Sequence, residues 1–200
     1  MIVKKNIPVE YPVMDAVKER WSPRAFSSVM PEDGKLRSMF EAARRAPSAF
    51  NGQPWAFIIG KKGTEEYEKI MESLIDWNKK WASTAPVLIV SLASSVSANG
   101  KHKNATAEYD TGQAVMALSL EAMNQGIYTH QMTGFDKEVI RRNFAVKPHN
   151  LVVSVIAVGY QGDLEQIPAD MQELEKEVKG RKDFNTFVFS TADGSASDLF

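Results

Sequence analysis

The sequence contains no cysteine in its 200 residues. This absence excludes disulfide bonds, thiolate nucleophiles and thiolate metal ligands. Histidine is scarce as well, and His102, His130 and His149 do not have the spacing of a ligand set. We therefore expect no metal site.

The sequence also lacks a charge bias and a long apolar run. A formal net charge of -1 gives no bulk attraction to nucleic acid or to an anionic membrane. No apolar stretch approaches the ~18 residues that a membrane span needs, and residues 1–13 are too polar for a secretory signal. These features favour a cytoplasmic protein without membrane or nucleic-acid partners.

The length favours a single domain over residues 1–200, with a lead-in at 1–12 and a loosely held tail at 190–200. Apolar periodicity predicts helices and strands in alternation along the chain. The predicted helices lie near 13–19, 36–43, 67–74 and 105–125, and a short one follows Asp136. The predicted strands are 55–59, 86–93, 127–132 and 151–160, of which the last is the most apolar and should be central.

The predicted helix at 105–125 carries apolar or small residues on more than one face. A helix that is apolar nearly all round must be buried on most of its sides. In a chain of 200 residues, a second subunit is the simplest way to bury it. The alternative is that it forms the central helix of a monomer.

The segment Arg20-Trp-Ser-Pro-Arg-Ala-Phe26 places two guanidiniums around a hydroxyl. Pro23 favours extended geometry at the residue before it, and alternate side chains of an extended chain share one face. Arg20, Ser22 and Arg24 would then form a phosphate clamp. The alternative is a solvated basic turn after a short helix.

A second polar segment, Ala46-Pro-Ser-Ala-Phe-Asn-Gly-Gln-Pro-Trp55, joins a predicted helix to a predicted strand. Ser48, Asn51 and Gln53 lie between its two prolines. The amides offer both donors and acceptors, which suits the edge of a pyrimidine-like ring. In the alternative interpretation, the same side chains bond their own backbone in Asx-type turns.

These two segments, in this order, resemble the nitroreductase-like family of FMN-dependent oxidoreductases. Two later segments also resemble that family: Met132-Thr-Gly-Phe-Asp136, which corresponds to the segment under the flavin, and Val158-Gly-Tyr160, which closes a strand. The resemblance extends from about Met14 to Phe189. It implies an α+β fold with three layers, α/β/α, and a mixed, largely antiparallel central sheet flanked by helices. It also implies a homodimer in which a C-terminal strand at 187–189 is exchanged with the partner.

The resemblance assigns expected cofactor contacts to individual residues. Arg20, Ser22 and Arg181 would hold the FMN phosphate, while Arg24, helped by Lys80, would lie near the N1-C2 carbonyl edge of the ring. Asn51 and Gln53 would face the pyrimidine edge, and the Met132-Thr133-Gly134 segment would offer backbone amides near N5. The partner subunit would supply Arg45, Pro47, Ser48 and Ala49, and the cofactor-binding set also includes Trp21.

The implied activity is ping-pong electron transfer. NADH or NADPH would reduce the FMN, and a nitroaromatic, a quinone or a similar small acceptor would reoxidise it. No side chain is expected to be catalytic, because the flavin carries the chemistry. Two alternatives stay open, namely a flavin-binding protein without turnover and a flavoenzyme of the same fold with other chemistry, such as dehalogenation or flavin breakdown.

Other conspicuous residues have structural interpretations. His130 is expected to be a core histidine rather than a catalytic acid, and Trp77 and Trp81 are expected to be packing residues that continue the stripe of the 67–74 helix. The acidic segment 170–179 is expected to be a solvated helix face. Lys101-His-Lys103 is expected to lie at a mobile loop tip, and the alternative is that it contacts the phosphate of NADPH.

Overall fold

The computed structural model describes residues 1–5, 7–97 and 99–199. Its centre is a four-stranded sheet in the order β1-β2-β4-β3. Every pairing in this sheet is antiparallel. The strands are β1 (Trp55–Lys61), β2 (Val87–Ser94), β3 (Tyr128–Met132) and β4 (Asn150–Gly159). The predicted central position of β4 is confirmed, and β2 occupies the other middle position of the sheet.

Seven α-helices lie within the described residues. The Asp136 side chain caps α6 by accepting from the backbone N–H groups of Glu138 and Val139, and Gly126 ends the α5 region with a φ of 73°. The helices are α1 (Asp15–Glu19), α2 (Asp33–Arg44), α3 (Glu65–Ser73), α4 (Asp76–Ala82), α5 (Ala107–Asn124), α6 (Lys137–Asn143) and α7 (Ala169–Lys176). Among these residues, none of the helices combines the length and apolarity needed to cross a bilayer.

The sheet separates two hydrophobic cores. Alternate residues of β2 point to opposite faces, so that Leu88 and Val90 join one core while Val87 and Ile89 join the other. The first core contains side chains from α3, α4, α6 and α7, and the second contains side chains from α2 and α5. The predicted three-layer arrangement of helix, sheet and helix is confirmed.

The two tryptophans predicted to extend one helical stripe lie in a separate helix. The chain leaves helical geometry at Leu74, whose ψ is 145°, and α4 begins at Asp76. Leu74 forms a β-bridge with Phe135 instead. Trp81 is buried as predicted, but the prediction is wrong for Trp77, which is 42% exposed.

The C-terminal segment 187–189 has no pairing with the sheet in the part of the chain that the structure describes. Phe189 forms an isolated bridge with Ala196 of the same tail. Exchange of this segment with a partner's sheet therefore stays a prediction.

Candidate functional site

A small polar cavity of about 220 Å³ lies beside the end of α1. Arg20, Ser22 and Arg24 line this cavity. Lys179 and Arg181, which come much later in the sequence, line it as well. The remaining described lining comes from Lys5, Ile7, Trp21, His130, Leu174 and Glu177. The structure therefore brings together the residues that the sequence predicts as a phosphate clamp.

The local backbone explains why Arg20, Ser22 and Arg24 share this cavity. Arg20 ends α1 with an extended ψ of 125°. Trp21 and Pro23 turn inward and are buried, whereas the three alternate residues are only partly buried. The ring of Trp21 packs edge-on against Tyr128, with 6.1 Å between ring centroids. The alternation predicted from Pro23 is thus present.

The cavity concentrates positive charge. Burial lowers the pKa of Arg20 from its ordinary value, and the neighbouring Arg181 charge lowers it further. Burial also lowers the pKa of Lys5, an effect that the charge of Glu175 opposes and that of Arg24 reinforces. Like charges held together in a partly buried site are relieved by an anion that accepts several hydrogen bonds. This set of donors suits the phosphate group of a ligand.

Glu175 is the main feature of this region that sequence reasoning missed. The prediction that 170–179 is a solvated helix face is wrong at this position, because the Glu175 side chain is only 1% exposed. Its Oε1 accepts from the backbone N–H of Arg24 at 2.7 Å and of Ala25 at 3.2 Å. Its Oε2 lies 3.5 Å from an NH group of the Arg24 side chain. A helix that places Met171 and Glu175 four residues apart on one buried face carried a weak signal of this arrangement.

His130 lies at the inner side of the cavity. Its Nδ1 is 2.9 Å from the carbonyl oxygen of Pro23, and its ring centroid lies 4.3 Å from that of Trp81. Burial lowers the pKa of His130 to about 4, and the nearby Arg24 charge acts in the same direction. The ring is therefore neutral near pH 7, with Nδ1 as the donor to the carbonyl. This geometry supports the structural interpretation of His130.

The Ser48–Gln53 loop, which we define as residues 48–53, lies away from the cavity lining and is strained. Phe50, Asn51 and Gln53 have φ values of 53°, 55° and 45°, in the left-handed region that residues with side chains rarely adopt. Ser48 Oγ accepts from the Gln53 N–H at 3.0 Å, and the Gln53 side chain donates to the Asn51 carbonyl at 3.1 Å. The side chains of Ser48 and Gln53 thus bond the backbone of their own loop, as in the alternative interpretation, although neither contact is an Asx-type turn.

A buried carboxylate holds this loop in place. The Ala49 N–H donates to Asp110 Oδ2 at 3.1 Å, and the Thr106 hydroxyl donates to the same oxygen at 2.9 Å. Asp110 lies on α5 and is 2% exposed. Phe50, in contrast, projects fully into solvent at the tip of the loop. The sequence could not predict this contact from local patterns, because Asp110 and Ala49 are 61 positions apart.

The Met132–Gly134 segment begins at the end of β3, two residues beyond His130. Met132 is buried and Thr133 is exposed. A Cβ added to Gly134 would lie 2.7 Å from Asn78 Nδ2 and 2.8 Å from Ile75 Cδ1. Close packing against Ile75 and α4 is therefore sufficient to require glycine at position 134.

Three further candidate residues lie apart from the cavity. Arg45 is exposed at the end of α2, where its backbone N–H caps the helix. The Lys80 ammonium lies 6.0 Å from the Trp77 ring centroid, and the described lining of the cavity does not include it. Pro47 is exposed just before the strained loop.

The face of α5 that points away from the cores is apolar and exposed. Tyr109 is 72% exposed and Met116 is 41% exposed, and the two lie about two turns apart on one side of the helix. Exposed Val13, Met14 and Val17 lie on or beside α1, which packs against α5. Phe50 adds a further exposed aromatic ring next to the Asp110 contact.

Comparison with known proteins identifies relatives over most of the chain. A family model described as the Nitroreductase family matches residues 17–160. A protein of Thermus thermophilus named NADH dehydrogenase is 27% identical over 207 aligned residues, which cover 85% of this chain and 98% of that protein.

Solved structures share the fold. A crystal structure described as an oxidoreductase containing FMN superimposes with a TM-score of 0.87 at 32% identity, covering 95% of this chain and 97% of the other. A second structure, a mutant of the FMN and NADPH-dependent nitroreductase NfnB from sphigopyxis sp. strain HMH, gives a TM-score of 0.69 at 17% identity. It covers 87% of this chain and 96% of its own, and at this identity the likeness shows the fold alone.

Proposed function

This chain belongs to the nitroreductase family, and from that premise we propose that it is an FMN-dependent NAD(P)H oxidoreductase that reduces small acceptors. Nitroaromatics and quinones represent the acceptor class. The observation that carries the proposal is the cation-lined cavity at Arg20, Ser22 and Arg181, whose donors fit the phosphate end of FMN.

Arg20, Ser22 and Arg181 would hold the phosphate. A guanidinium can donate two parallel hydrogen bonds to phosphate oxygens, and the serine hydroxyl adds a third donor. The mutual repulsion of Arg20 and Arg181 would be relieved by the bound dianion. Trp21 would support this grip by fixing the backbone between Arg20 and Ser22, since its ring is buried against Tyr128.

Arg24 would face the ring system rather than the phosphate. Its guanidinium is partly buried and is held on one side by Glu175, which leaves its remaining N–H groups for the cavity. A fixed positive charge stabilises negative charge that develops next to it during a reaction. Arg24 would therefore favour the reduced state at the N1-C2 carbonyl edge.

Bound FMN would supply the redox chemistry, accepting a hydride from NADH or NADPH and passing the electrons to the acceptor in a ping-pong sequence. The protein contributes binding, orientation and a fixed charge. Met132, Thr133 and Gly134 would contribute backbone groups beside the ring, since this segment continues directly from the cavity residue His130.

The remaining contacts would come from the interface of a homodimer. Asn51 and Gln53 would address the pyrimidine edge, and Arg45, Pro47, Ser48 and Ala49 would reach the flavin of the partner subunit. Two observations support this proposal: the loop is strained and exposed, and it lies next to the exposed apolar face of α5. Backbone strain of this kind clusters at active sites and ligand-binding segments.

Reconstitution of the purified protein with FMN tests the proposed function. We expect a yellow 1:1 complex per chain that loses its visible absorbance when NADH or NADPH is added without oxygen, and that regains it with a quinone. A protein that binds FMN but stays yellow with both nicotinamides would be a binder without turnover. Failure to bind added FMN would contradict the proposal altogether.

A further inference from the structure

The Glu175 carboxylate is buried next to a group of cations and is incompletely bonded. Acidic side chains are almost never fully buried unless they are paired. Glu175 is 1% exposed, and its Oε2 has no hydrogen-bond partner among the described residues. The Arg24 side chain at 3.5 Å is its ionic partner.

The two oxygens of Glu175 have different tasks. Oε1 accepts from two consecutive backbone N–H groups, at Arg24 and Ala25, and so fixes the path of the chain that lines the cavity. Oε2 faces the Arg24 side chain. Because Glu175 comes 151 positions later in the sequence, this contact ties α7 to the cavity wall.

The negative charge of Glu175 is felt inside the cavity. The Glu175 charge raises the pKa of Lys5, whereas burial and the Arg24 charge lower it. Lys5 itself lines the cavity, and its ammonium lies 4.2 Å from the Trp21 ring centroid. Electrostatic interactions between partly buried groups are screened less than those at the surface.

We propose that Glu175 is a positioning residue that holds the Arg24 guanidinium through their ion pair and so limits how closely that charge approaches the flavin, thereby keeping the reduction potential of bound FMN low. The inference rests on the proposed function, since it concerns the same site. Transfer of a hydride from NAD(P)H brings two electrons and one proton to the neutral ring, leaving one added negative charge on the ring and an oxidised nicotinamide. A fully effective Arg24 charge would stabilise that state, and Glu175 weakens the effect.

The variant Glu175→Gln isolates the charge. The amide oxygen still accepts from the two backbone N–H groups, so that the cavity wall keeps its path. The amide NH2 that replaces Oε2 cannot pair with the Arg24 guanidinium, so Arg24 is no longer held by Glu175. We expect reduced FMN to gain about tenfold in affinity relative to oxidised FMN, which raises the potential of this two-electron couple by about 30 mV.

The matched control is Glu173→Gln. Glu173 lies on the same helix, is exposed and pairs with Lys176 on the surface. This variant has the same change in net charge, yet it should leave the potential at the wild-type value. A merely structural role of Glu175 would alter thermal stability without moving the potential.

A double-mutant cycle with Arg24→Gln tests whether Glu175 acts through Arg24. We expect Arg24→Gln to lower the potential, and Glu175→Gln to have little further effect in that background. An equal rise in both backgrounds would overturn the inference, as would a potential that Glu175→Gln leaves unchanged or lowers. If Glu175→Gln does not fold, Glu175→Asp replaces it in the test. The shorter side chain of aspartate moves the carboxylate away from Arg24, so we expect a smaller rise in the potential. An unchanged potential would contradict the inference.

Failure of this inference is distinguishable from failure of the proposed function. If the wild type binds no FMN, the proposed function is wrong. If the wild type binds and reduces FMN but the cycle shows no coupling, only the assignment of Glu175 is wrong.

Discussion

Arg20 and Arg181 line the same small cavity, and the charge of Arg181 adds to burial in lowering the pKa of Arg20. Arg181 lies in the segment that follows α7, where its side chain also donates to the backbone carbonyl of Gly180 at 3.2 Å. Two cations kept close together disfavour each other's charge unless an anion lies between them. This arrangement supports the proposed phosphate site.

Removal of the Arg20 and Ser22 side chains should weaken FMN binding. In the variant Arg20→Ala/Ser22→Ala, the loss of charged hydrogen bonds at roughly 1.5 to 3 kcal/mol each should weaken FMN binding by about 3 kcal/mol or more, which is over a hundredfold. Fluorescence titration of the apoprotein measures the Kd. The control Arg37→Ala/Ser38→Ala removes the same residue types from the exposed face of α2, and it should bind FMN normally. Equal FMN affinities of the two double variants would contradict the proposed phosphate clamp.

Asp110 should be needed for the strained loop. Substitution Asp110→Ala leaves the Ala49 N–H without its acceptor, which should lower the free energy of unfolding by about 1 to 3 kcal/mol. Urea denaturation at one fixed protein concentration measures this loss. Glu108→Ala, at an exposed position in the first turn of the same helix, should change little. A loss of the same size in both variants would show that the loop contact is not responsible.

The exposed face of α5 should be a subunit interface. Tyr109→Glu/Met116→Glu places two carboxylates on that face, and burying unpaired charge is strongly unfavourable. Sedimentation velocity should show a dimer for the wild type and monomers for this variant. Lys137→Glu, on the exposed side of α6, should stay dimeric. A wild-type monomer, or a variant that remains dimeric, would contradict the proposed interface.

His130 should make the ligand-free protein less stable in acid. Its pKa is about 4 in the folded chain, below the ordinary value of 6.5, so the folded state binds fewer protons than the unfolded state. The stabilisation is complete above the unfolded pKa and is lost as the pH falls toward the folded pKa. Between about pH 7 and pH 4.5 we expect the wild type to lose about 2 to 3 kcal/mol relative to His130→Gln. Denaturant unfolding at several pH values measures the difference, and a constant difference would mean that His130 titrates normally.

Local signals in the sequence were sufficient for most elements and for the cation cavity. The helix at 105–125 and the short helix after Asp136 were predicted because their end signals, Gly126 and the Asp136 cap, act within a few residues of their own position. Arg20, Ser22 and Arg24 share a cavity because Pro23 enforces extended geometry locally. Each of these features depends on neighbours along the chain.

Features that depend on distant partners were missed. The helix break at Leu74 follows from its bridge to Phe135, and no glycine or proline marks it. Glu175 lies in a charged helix, and only the backbone N–H groups of Arg24 and Ala25 explain why its carboxylate is buried. Pairings of this kind are fixed by tertiary packing, which overrides local patterns.

A comparison of FMN with riboflavin tests the phosphate site most directly, because the two ligands differ only in the phosphate group. Titration of the apoprotein with each ligand under identical conditions gives the two Kd values. We expect FMN to bind more than a hundredfold tighter, as charged hydrogen bonds of roughly 1.5 to 3 kcal/mol each require. Equal affinities for FMN and riboflavin would contradict the assignment of Arg20, Ser22 and Arg181.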